Sequence, residues 1–303
     1  MPFRPDSPIA LPNGRLVCGS HHLVVCPICT VDYSFMEEVL GEDQDTHDED
    51  EIDGNDIGYV STVWAVNVSD EETTFDDMTQ LRIGTGRVIP TRFHPHNTRD
   101  TPQSLFPPGT SSRALPPVRR FIHRNNANQF LIYTDGACLD NGRANPRGGC
   151  SFVFKPSRTQ PRDDGYVRFR LENEGPTGEA HPQTSNRAEL RAVIAALRFR
   201  LWTGEGFNSL VIATDSEYVV EGVTSWVRGW IRRGWKTSIG AAVKNRDLWE
   251  CLLGEIERWD SNGMEVKFWR ILRDWNTDAD YHARHAASED VRSAFRDIGG
   301  VLV

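Results

Sequence analysis

Apolar and polar residues alternate with clear periodicity mainly in the second half of the chain. Five short apolar or alternating runs predict β-strands at residues 129–134, 148–154, 166–171, 210–214 and 264–271. Apolar residues at helical spacing predict four helices, which begin at Thr184-Ser185, Ser216, Asn245 and Thr277. Three strands in succession, followed by alternating helices and strands, predict an α/β fold with a mixed five-stranded sheet flanked by helices.

The first 117 residues are less regular. Residues 15–36 hold a cluster of cysteines and histidines, and residues 37–56 hold 11 acidic residues without lysine or arginine, which predicts a solvated run. Alternating apolar residues at 57–75 predict one or two short strands, and seven prolines between residues 87 and 117 predict an extended linker. We therefore expect a small segment over residues 1–36, a largely irregular acidic and proline-rich region over 37–117, and a folded domain over 118–303.

The net charge of −9 is unevenly distributed. Residues 1–117 carry 7 Lys and Arg against 19 Asp and Glu, a net charge of −12, whereas residues 118–303 carry 27 against 24, a net charge of +3. Only the second half can approach a polyanion without long-range repulsion. This division also predicts that the acidic run shields a basic groove on the second half or recruits a partner.

The cysteine content and the absence of long apolar runs predict the cellular location. Six cysteines, three of them within residues 18–29, do not have the pattern of a disulfide framework. No stretch approaches the length of a membrane span, and the N-terminus lacks the pattern of a signal peptide. These features predict an intracellular, cytoplasmic or nuclear location and no membrane partner.

Four carboxylates stand at corresponding ends of the predicted elements. Asp135 and Asp215 follow two predicted strands, Glu189 lies one turn into the first predicted helix, and Asp280 lies in the first turn of the last helix. Side chains at strand ends converge on one crevice, and clustered carboxylates are ligands for hard divalent cations. Each residue alone is better explained as a turn or a helix cap, but the four together favour a two-metal site for displacement at phosphorus.

These residues lie in segments that resemble a known family. YTDGACLDNG, TSNRAEL, ATDSEYVVEGVTSWVRGWIRRGWKT and NTDADYHA are similar, in order and spacing, to the four blocks of type 1 ribonuclease H. The resemblance covers residues 129–287, so the N-terminal part is an unfamiliar extension. It implies that Asp135, Glu189, Asp215 and Asp280 bind two Mg²⁺ ions, which Mn²⁺ can replace, and that the chain hydrolyses the RNA strand of RNA/DNA hybrids.

The resemblance also implies which residues contact the hybrid. Those implied are Asn141, Ser185 and Asn186 at the RNA strand, Thr184 and Asn245 at a DNA phosphate, and Tyr218, Trp226, Trp230, Arg232, Arg233 and Lys236 at the DNA strand. From residue types alone, tryptophans interleaved with cations are typical of a strand-binding groove. The alternative is an amphipathic helix whose tryptophans belong to the core.

One departure from the family concerns a histidine near the last aspartate. Family members often carry a histidine shortly before the last aspartate, and the corresponding stretch here, FWRILRDWN, has none. We expect Arg270 or Arg273 to substitute for it electrostatically.

The N-terminal cysteines allow two interpretations. Cys18, Cys26 and Cys29 with His21 or His22, of which we take His22, could close a structural zinc site. The alternative is a short buried strand with reduced thiols.

Three functions are compatible with the sequence. The first is an endonuclease that cuts the RNA of RNA/DNA hybrids by a two-metal-ion mechanism, acting as a monomer. The second is a catalytically silent nucleic-acid-binding module, and the third is a ribonuclease H domain derived from a retroelement.

Overall fold

The computed structural model describes residues 8–36, 81–157, 164–290 and 293–300. The predicted acidic run at 37–56 and the predicted strands at 57–75 lie outside the described residues. Within the described ranges the strands are β1 Ile9–Ala10, β2 Leu16–Val17, β3 Val25–Cys26, β4 Val31–Asp32, β5 Thr91–Arg92, β6 Pro108–Ser111, β7 Val118–His123, β8 Asn126–Leu139, β9 Arg147–Val153, β10 Tyr166–Arg170, β11 Ser209–Thr214 and β12 Glu265–Arg270.

The helices follow the predicted order. Among the described residues, the α-helices are α1 Pro102–Leu105, α2 Ser185–Arg198, α3 Glu217–Glu221, α4 Val227–Arg232, α5 Arg246–Ser261 and α6 Thr277–Ala286. A π-helical turn, Gly222–Trp226, joins α3 to α4. At this turn a Cβ on Gly222 would lie 2.3 Å from the ring of Trp249, so the absence of a side chain lets α5 pack closely there.

The main sheet is mixed, as predicted, but it has eight strands rather than five. Its strand order is β10-β9-β8-β11-β12-β5, with β7 paired to β8 and β6 paired to β7. β8 is antiparallel to β9 and parallel to β11. The five predicted strands correspond to β8, β9, β10, β11 and β12, and three further strands extend the sheet.

The structure differs from the linker predicted at 87–117. β5 pairs in parallel with β12, and β6 forms an antiparallel pair with β7. Pro108 is the first residue of β6, at the margin of the sheet, where the missing N–H of proline is tolerated. These strands have two and four residues, which is too short for their alternation to be visible in the sequence.

Alternate residues of β8 supply the cores on the two faces of the sheet. Phe130 and Ile132 pack with the apolar residues of α2 and α5 in the larger core. Leu131 and Tyr133 pack on the other face, with Phe106 and with Ala279 of α6. The segment from β5 to β6 therefore covers part of the second face and belongs to the folded domain.

Residues 8–36, which we call the N-terminal module, contain two small antiparallel hairpins, β1-β2 and β3-β4. The module lies against the folded domain, where Phe35 joins the larger core and is 3% exposed. Among the residues described, the longest helices fall short of what crossing a membrane requires in length and apolar character.

Candidate active site

Asp135 lies within strand β8, and not at its end as the sequence predicted. The strand continues past it, paired with β9, whereas the parallel pairing with β11 ends at Tyr133, opposite Ala213. Gly136 faces α2, where a Cβ would lie 2.1 Å from the backbone nitrogen of Glu189. Because glycine has no side chain, α2 approaches β8 closely, and this approach places Glu189 beside Asp135.

Asp215 directly follows β11 and is held by a residue that the sequence analysis missed. The amide of Asn276 donates to Oδ1 of Asp215 at 2.6 Å and to the carbonyl oxygen of Thr134 at 3.0 Å. Asn276 is the residue before α6. It therefore fixes the Asp215 carboxylate and links the start of α6 to β8.

Asp280 is placed by the packing of α6 on the sheet. The hydroxyl of Ser151, on β9, donates to the carbonyl oxygen of Ala279 at 2.6 Å. A Cβ on Gly149 would lie 2.2 Å from the carbonyl oxygen of Ala283, so the helix backbone rests directly on β9. The charge of Asp280 accordingly acts on both Asp135 and Glu189.

Two arginines bind the Asp280 carboxylate. Arg273 donates to one oxygen at 2.9 Å, and Arg284 donates to the other at 2.8 Å. Arg270 instead pairs with Glu217 at 2.9 Å. Of the two arginines expected to stand in for the missing histidine, Arg273 is therefore the one at the last aspartate.

The histidines of α6 do not replace that residue. His282 is 5% exposed and stacks on Tyr166 with ring centroids 3.5 Å apart. His285 is exposed, and its Nδ1 lies 2.8 Å from the carbonyl oxygen of Tyr281.

The four carboxylates interact electrostatically. Burial raises the pKa of Asp135 well above its ordinary value, and the charges of Asp215 and Asp280 raise it further. Burial likewise raises the pKa of Glu189, followed by the charges of Asp135 and Asp215. Arg273 opposes both shifts without cancelling them. The site therefore favours a cation that would allow these groups to ionise together.

A cavity of about 430 Å³ opens onto this cluster, with Asp135, Glu189 and Asp215 in its walls. Glu189 is 9% exposed, and its Oε2 is buried without a hydrogen-bond partner in the part of the chain that the structure describes. A buried carboxylate oxygen is normally satisfied by a hydrogen bond or a cation. The donor set, all carboxylate oxygens, fits hard divalent cations.

A protein-family model described as RNase H matches residues 127–288, more than half of the chain. The chain belongs to the ribonuclease H family. A ribonuclease H of the bacterium Treponema pallidum is 42% identical over 128 residues, which cover 42% of this chain and 73% of the relative. Ribonuclease H1 of Homo sapiens is 33% identical over 183 residues, which cover 59% of this chain and 57% of the relative.

One solved structure is described as LC9-RNase H1, a type 1 RNase H with the type 2 active-site motif. It is 32% identical to this chain, with coverage of 53% of this chain and 72% of that chain and a TM-score of 0.37. The family match and the curated relatives identify this chain as a ribonuclease H enzyme, as the sequence predicted.

The residues expected at the RNA strand of this ribonuclease H lie beside the carboxylates. Asn141 donates to the hydroxyl of Ser185 at 2.8 Å, and the two residues are 2% and 3% exposed. Asn186 is partly exposed and lines the same cavity as Glu189.

Thr184 and Asn245, expected at a DNA phosphate, are linked through an arginine that the sequence analysis did not single out. Thr184 caps α2 by accepting from the backbone N–H of Arg187 at 3.2 Å. The Arg187 guanidinium donates to the Asn245 side chain at 3.4 Å and to Asp247 at 2.9 and 2.6 Å. Its charge is therefore compensated within the protein.

The residues expected at the DNA strand fall into two groups. Arg232, Arg233 and Lys236 are exposed at the end of α4. Tyr218 and Trp230 are 4% and 3% exposed and belong to the larger core, and Trp226 is partly buried. Trp230 is therefore a core residue, as the amphipathic-helix alternative predicted, whereas the three cationic side chains are exposed to solvent.

The N-terminal cysteines form a cluster with His21, and the choice of His22 was wrong. Ligand atoms of Cys18, His21, Cys26 and Cys29 all lie within 4.8 Å of one another. His22 is not among the residues of this cluster; its backbone has a positive φ of 56°, and its N–H donates to the Cys18 carbonyl oxygen at 2.9 Å. The sequence offered two adjacent histidines and no signal that separated them.

The distances in this cluster fit zinc. Nδ1 of His21 lies 3.3 Å from Sγ of Cys29 and 3.5 Å from Sγ of Cys26. Ligands at ordinary Zn–S and Zn–N bond lengths on a tetrahedron are about 3.5 Å apart. Burial raises the pKa of the Cys26 thiol, but backbone N–H groups of Cys29 and Ile28 outweigh it and leave that pKa lowered, which favours the metal-binding thiolate.

Proposed function

We propose that this enzyme hydrolyses the RNA strand of RNA/DNA hybrids with two divalent cations, Mg²⁺ or Mn²⁺, held by Asp135, Glu189, Asp215 and Asp280. The observation that carries the proposal is that Asp135, Glu189 and Asp215 line one cavity, where Oε2 of Glu189 is buried without a hydrogen-bond partner among the described residues. Burial, and after it the neighbouring carboxylate charges, raise the pKa of Asp135 and Glu189. When bound, two such cations stabilise the charge that develops on the attacking and departing oxygens.

The residues around the carboxylates orient them. Asn276 holds Asp215 from one side, and Arg273 and Arg284 hold Asp280 from the other. The free oxygen of Glu189 is therefore the least constrained donor, ready to bind a cation without first breaking a hydrogen bond. We also propose that the enzyme acts as a monomer.

Recognition of the hybrid would divide between two surfaces. Asn141, Ser185 and Asn186 carry short amide and hydroxyl groups beside the cavity, and such groups can bond to the 2′-hydroxyls that distinguish RNA from DNA. The exposed Arg232, Arg233 and Lys236 supply positive charge for the phosphates of the DNA strand.

The test compares two aspartates of the same helix. Asp280→Asn should lower kcat on a labelled RNA/DNA hybrid by at least about 100-fold, since a metal clamp contributes several kcal/mol to the transition state. Asp278→Asn, in the same helical turn and outside the carboxylate cluster, is the matched control and should stay within about twofold.

Three outcomes separate the alternatives. Cleavage of the hybrid, with duplex RNA and duplex DNA left intact, is the expected result. Binding of the hybrid by the wild-type chain without any cleavage would identify a silent module. Activity that survives Asp280→Asn would rule out the proposed carboxylate site.

We also propose that Cys18, His21, Cys26 and Cys29 hold one structural Zn²⁺. All six cysteines are free thiols, which fits a reducing, intracellular compartment, where such clusters bind metal rather than form disulfides. The full chain should contain about one zinc per molecule by metal analysis, and Cys29→Ser should lose it.

Cys251→Ala, a buried thiol on α5, is the control and should keep the zinc. A full chain that contains no zinc after purification without chelators would contradict the assignment.

A further inference from the structure

The N-terminal module lies across the surface that would receive the hybrid. At one end, the ring of Phe35 is packed between Tyr218 and Trp226, with both centroid distances at 5.4 Å. These two aromatic residues are among those expected at the DNA strand. Aromatic side chains in such channels stack on bases or sugars, so Phe35 contacts the two rings that the resemblance assigns to the DNA strand.

The middle of the module reaches the carboxylates. Thr30, Asp32 and Tyr33 line the same cavity as Asp135 and Glu189. Burial raises the pKa of Tyr33, and the charges of Arg273, Glu217 and Asp215 act on its hydroxyl. This end of β4 is therefore part of the wall of the active site.

A polar contact ties the module to the metal-binding helix. The hydroxyl of Thr30 accepts a hydrogen bond from Arg284 at 3.4 Å, and the same guanidinium donates to Asp280 at 2.8 Å. A displacement of the module would release this contact and leave the contact of Arg284 with Asp280 in place.

The other end of the module reaches the RNA side. A Cβ on Gly142 would lie 3.2 Å from a methyl carbon of Val25. Gly142 follows Asn141, which is 2% exposed. The module thus extends from the residues expected at the RNA strand to those expected at the DNA strand.

Thr30, Asp32 and Tyr33 of the module stand in front of the carboxylates as part of the wall of their cavity. A hybrid must bring a backbone phosphate to the carboxylates while both of its strands pass along the surface that the module covers.

We infer that the docked N-terminal module and a bound hybrid exclude each other, so the module is an autoinhibitory element seated in the substrate groove. The inference rests on the proposed hybrid substrate. The cysteine and histidine cluster stabilises the fold of the module, and Phe35 is the residue that holds it in the groove. The hybrid binds only those molecules in which the module is displaced. The apparent dissociation constant is therefore the intrinsic constant divided by the displaced fraction.

The test uses the full chain in an Asp280→Asn background, so that binding is measured without cleavage. Phe35→Ala should lower the dissociation constant for a labelled RNA/DNA hybrid by about tenfold or more, because loss of the buried ring favours the displaced state. Phe35→Leu keeps an apolar side chain in the groove and should give an intermediate gain. Ile28→Ala, an exposed apolar residue of the same module, is the matched control and should change the constant by less than about twofold.

Hydrogen exchange gives a second readout. Saturating hybrid should increase exchange at the amides of residues 25–36, since the bound duplex displaces them. Phe35→Ala without nucleic acid should deprotect residues 217–226, where the ring packs. The second measurement does not depend on the hybrid being the substrate.

Failure of the autoinhibition proposal and failure of the proposed substrate give different results. Weaker or unchanged hybrid binding by Phe35→Ala, or protection of residues 25–36 by hybrid, would show that the module is part of the substrate site and would overturn autoinhibition. If duplex DNA binds as tightly as the hybrid in every variant, the proposed substrate is wrong. The exchange of residues 217–226 would still report whether Phe35 holds the module in the groove.

Discussion

At the scale of single residues, the active site combines burial with like charge. Asp135 is 3% exposed and lies beside Asp215 and Asp280, so its carboxylate is costly to ionise without a cation. Metal binding must compete with protons at such a group, and the metal affinity of the site is expected to rise with pH.

This cost leads to a stability prediction for Asp135→Asn. The pKa of Asp135 in the folded chain is raised above the unfolded value of about 3.9, so the folded state holds more protons between the two pKa values. Stability without divalent cations therefore falls as pH rises through this window. The variant lacks this titration and should exceed the wild type by about 1 kcal/mol or more in free energy of unfolding at pH 7.

Denaturant unfolding of the wild type and Asp135→Asn, in buffer free of Mg²⁺ and Mn²⁺, checks this prediction. The advantage of the variant should shrink toward pH 4 and disappear below it. An Asn variant that is less stable than the wild type at pH 7 would show that Asp135 is not destabilised by its neighbours.

At the scale of elements, close backbone contacts bring the carboxylates together. Gly136 allows α2 to pack closely against β8, and Gly149 allows α6 to pack closely against β9. Each contact sets the distance between a helix that carries one carboxylate and the strands that carry Asp135 and Asp215.

Gly149→Ala tests this packing. The added methyl group would meet the backbone of α6, and overpacking of this kind costs about 1–3 kcal/mol. The shift of α6 should also lower kcat, because Asp280 moves with the helix. Thermal unfolding and hybrid cleavage measure both effects, and Gly299→Ala, where no atom lies within 4 Å of the added Cβ, is the control. An unchanged kcat in Gly149→Ala would mean that Asp280 tolerates the shift.

The end of α4 carries the second prediction at this scale. Arg232 and Lys236 are exposed, so their joint replacement by alanine should leave stability unchanged and weaken hybrid binding. If each contacts one phosphate, the slope of log K against log salt concentration should fall in magnitude by about 1.8. The double variant Arg87→Ala, Lys267→Ala removes two cations elsewhere and should leave the slope unchanged. A salt slope that is equal in both double variants would place the DNA strand away from α4.

The elements also show how much of the fold the sequence could predict. The strands at 129–134, 148–154 and 210–214 were found because each forms a long or strongly apolar run buried in the sheet. β5 and β6 were missed because pairing with β12 and β7, and not local pattern, makes them strands. β8 was predicted to end at Thr134 because Asp135-Gly136 looks like a turn, whereas pairing with β9 carries the strand further.

The residues of the candidate site also divide into those that the sequence could predict and those that it could not. The four carboxylates were predicted from their places in the predicted elements and from the family resemblance, although Asp135 lies inside β8 and not at a strand end. Asn276 and Tyr33 could not, since their roles depend on contacts with residues far away in the chain. His21 could not be separated from His22 until the backbone of the loop was known.

At the scale of the whole molecule, the two halves are joined at the active site. The N-terminal module packs over the groove of a ribonuclease H domain, and residues once expected to be a linker complete its sheet. We therefore propose that access of substrate depends on the module, whereas metal binding depends on the four carboxylates.

The measurement that tests the central claim most directly is anomalous diffraction from crystals of this enzyme grown with Mn²⁺ and a hybrid. We predict two anomalous peaks bound by oxygens of Asp135, Glu189, Asp215 and Asp280. A site without manganese at these four carboxylates, or with manganese bound only elsewhere, would contradict the account.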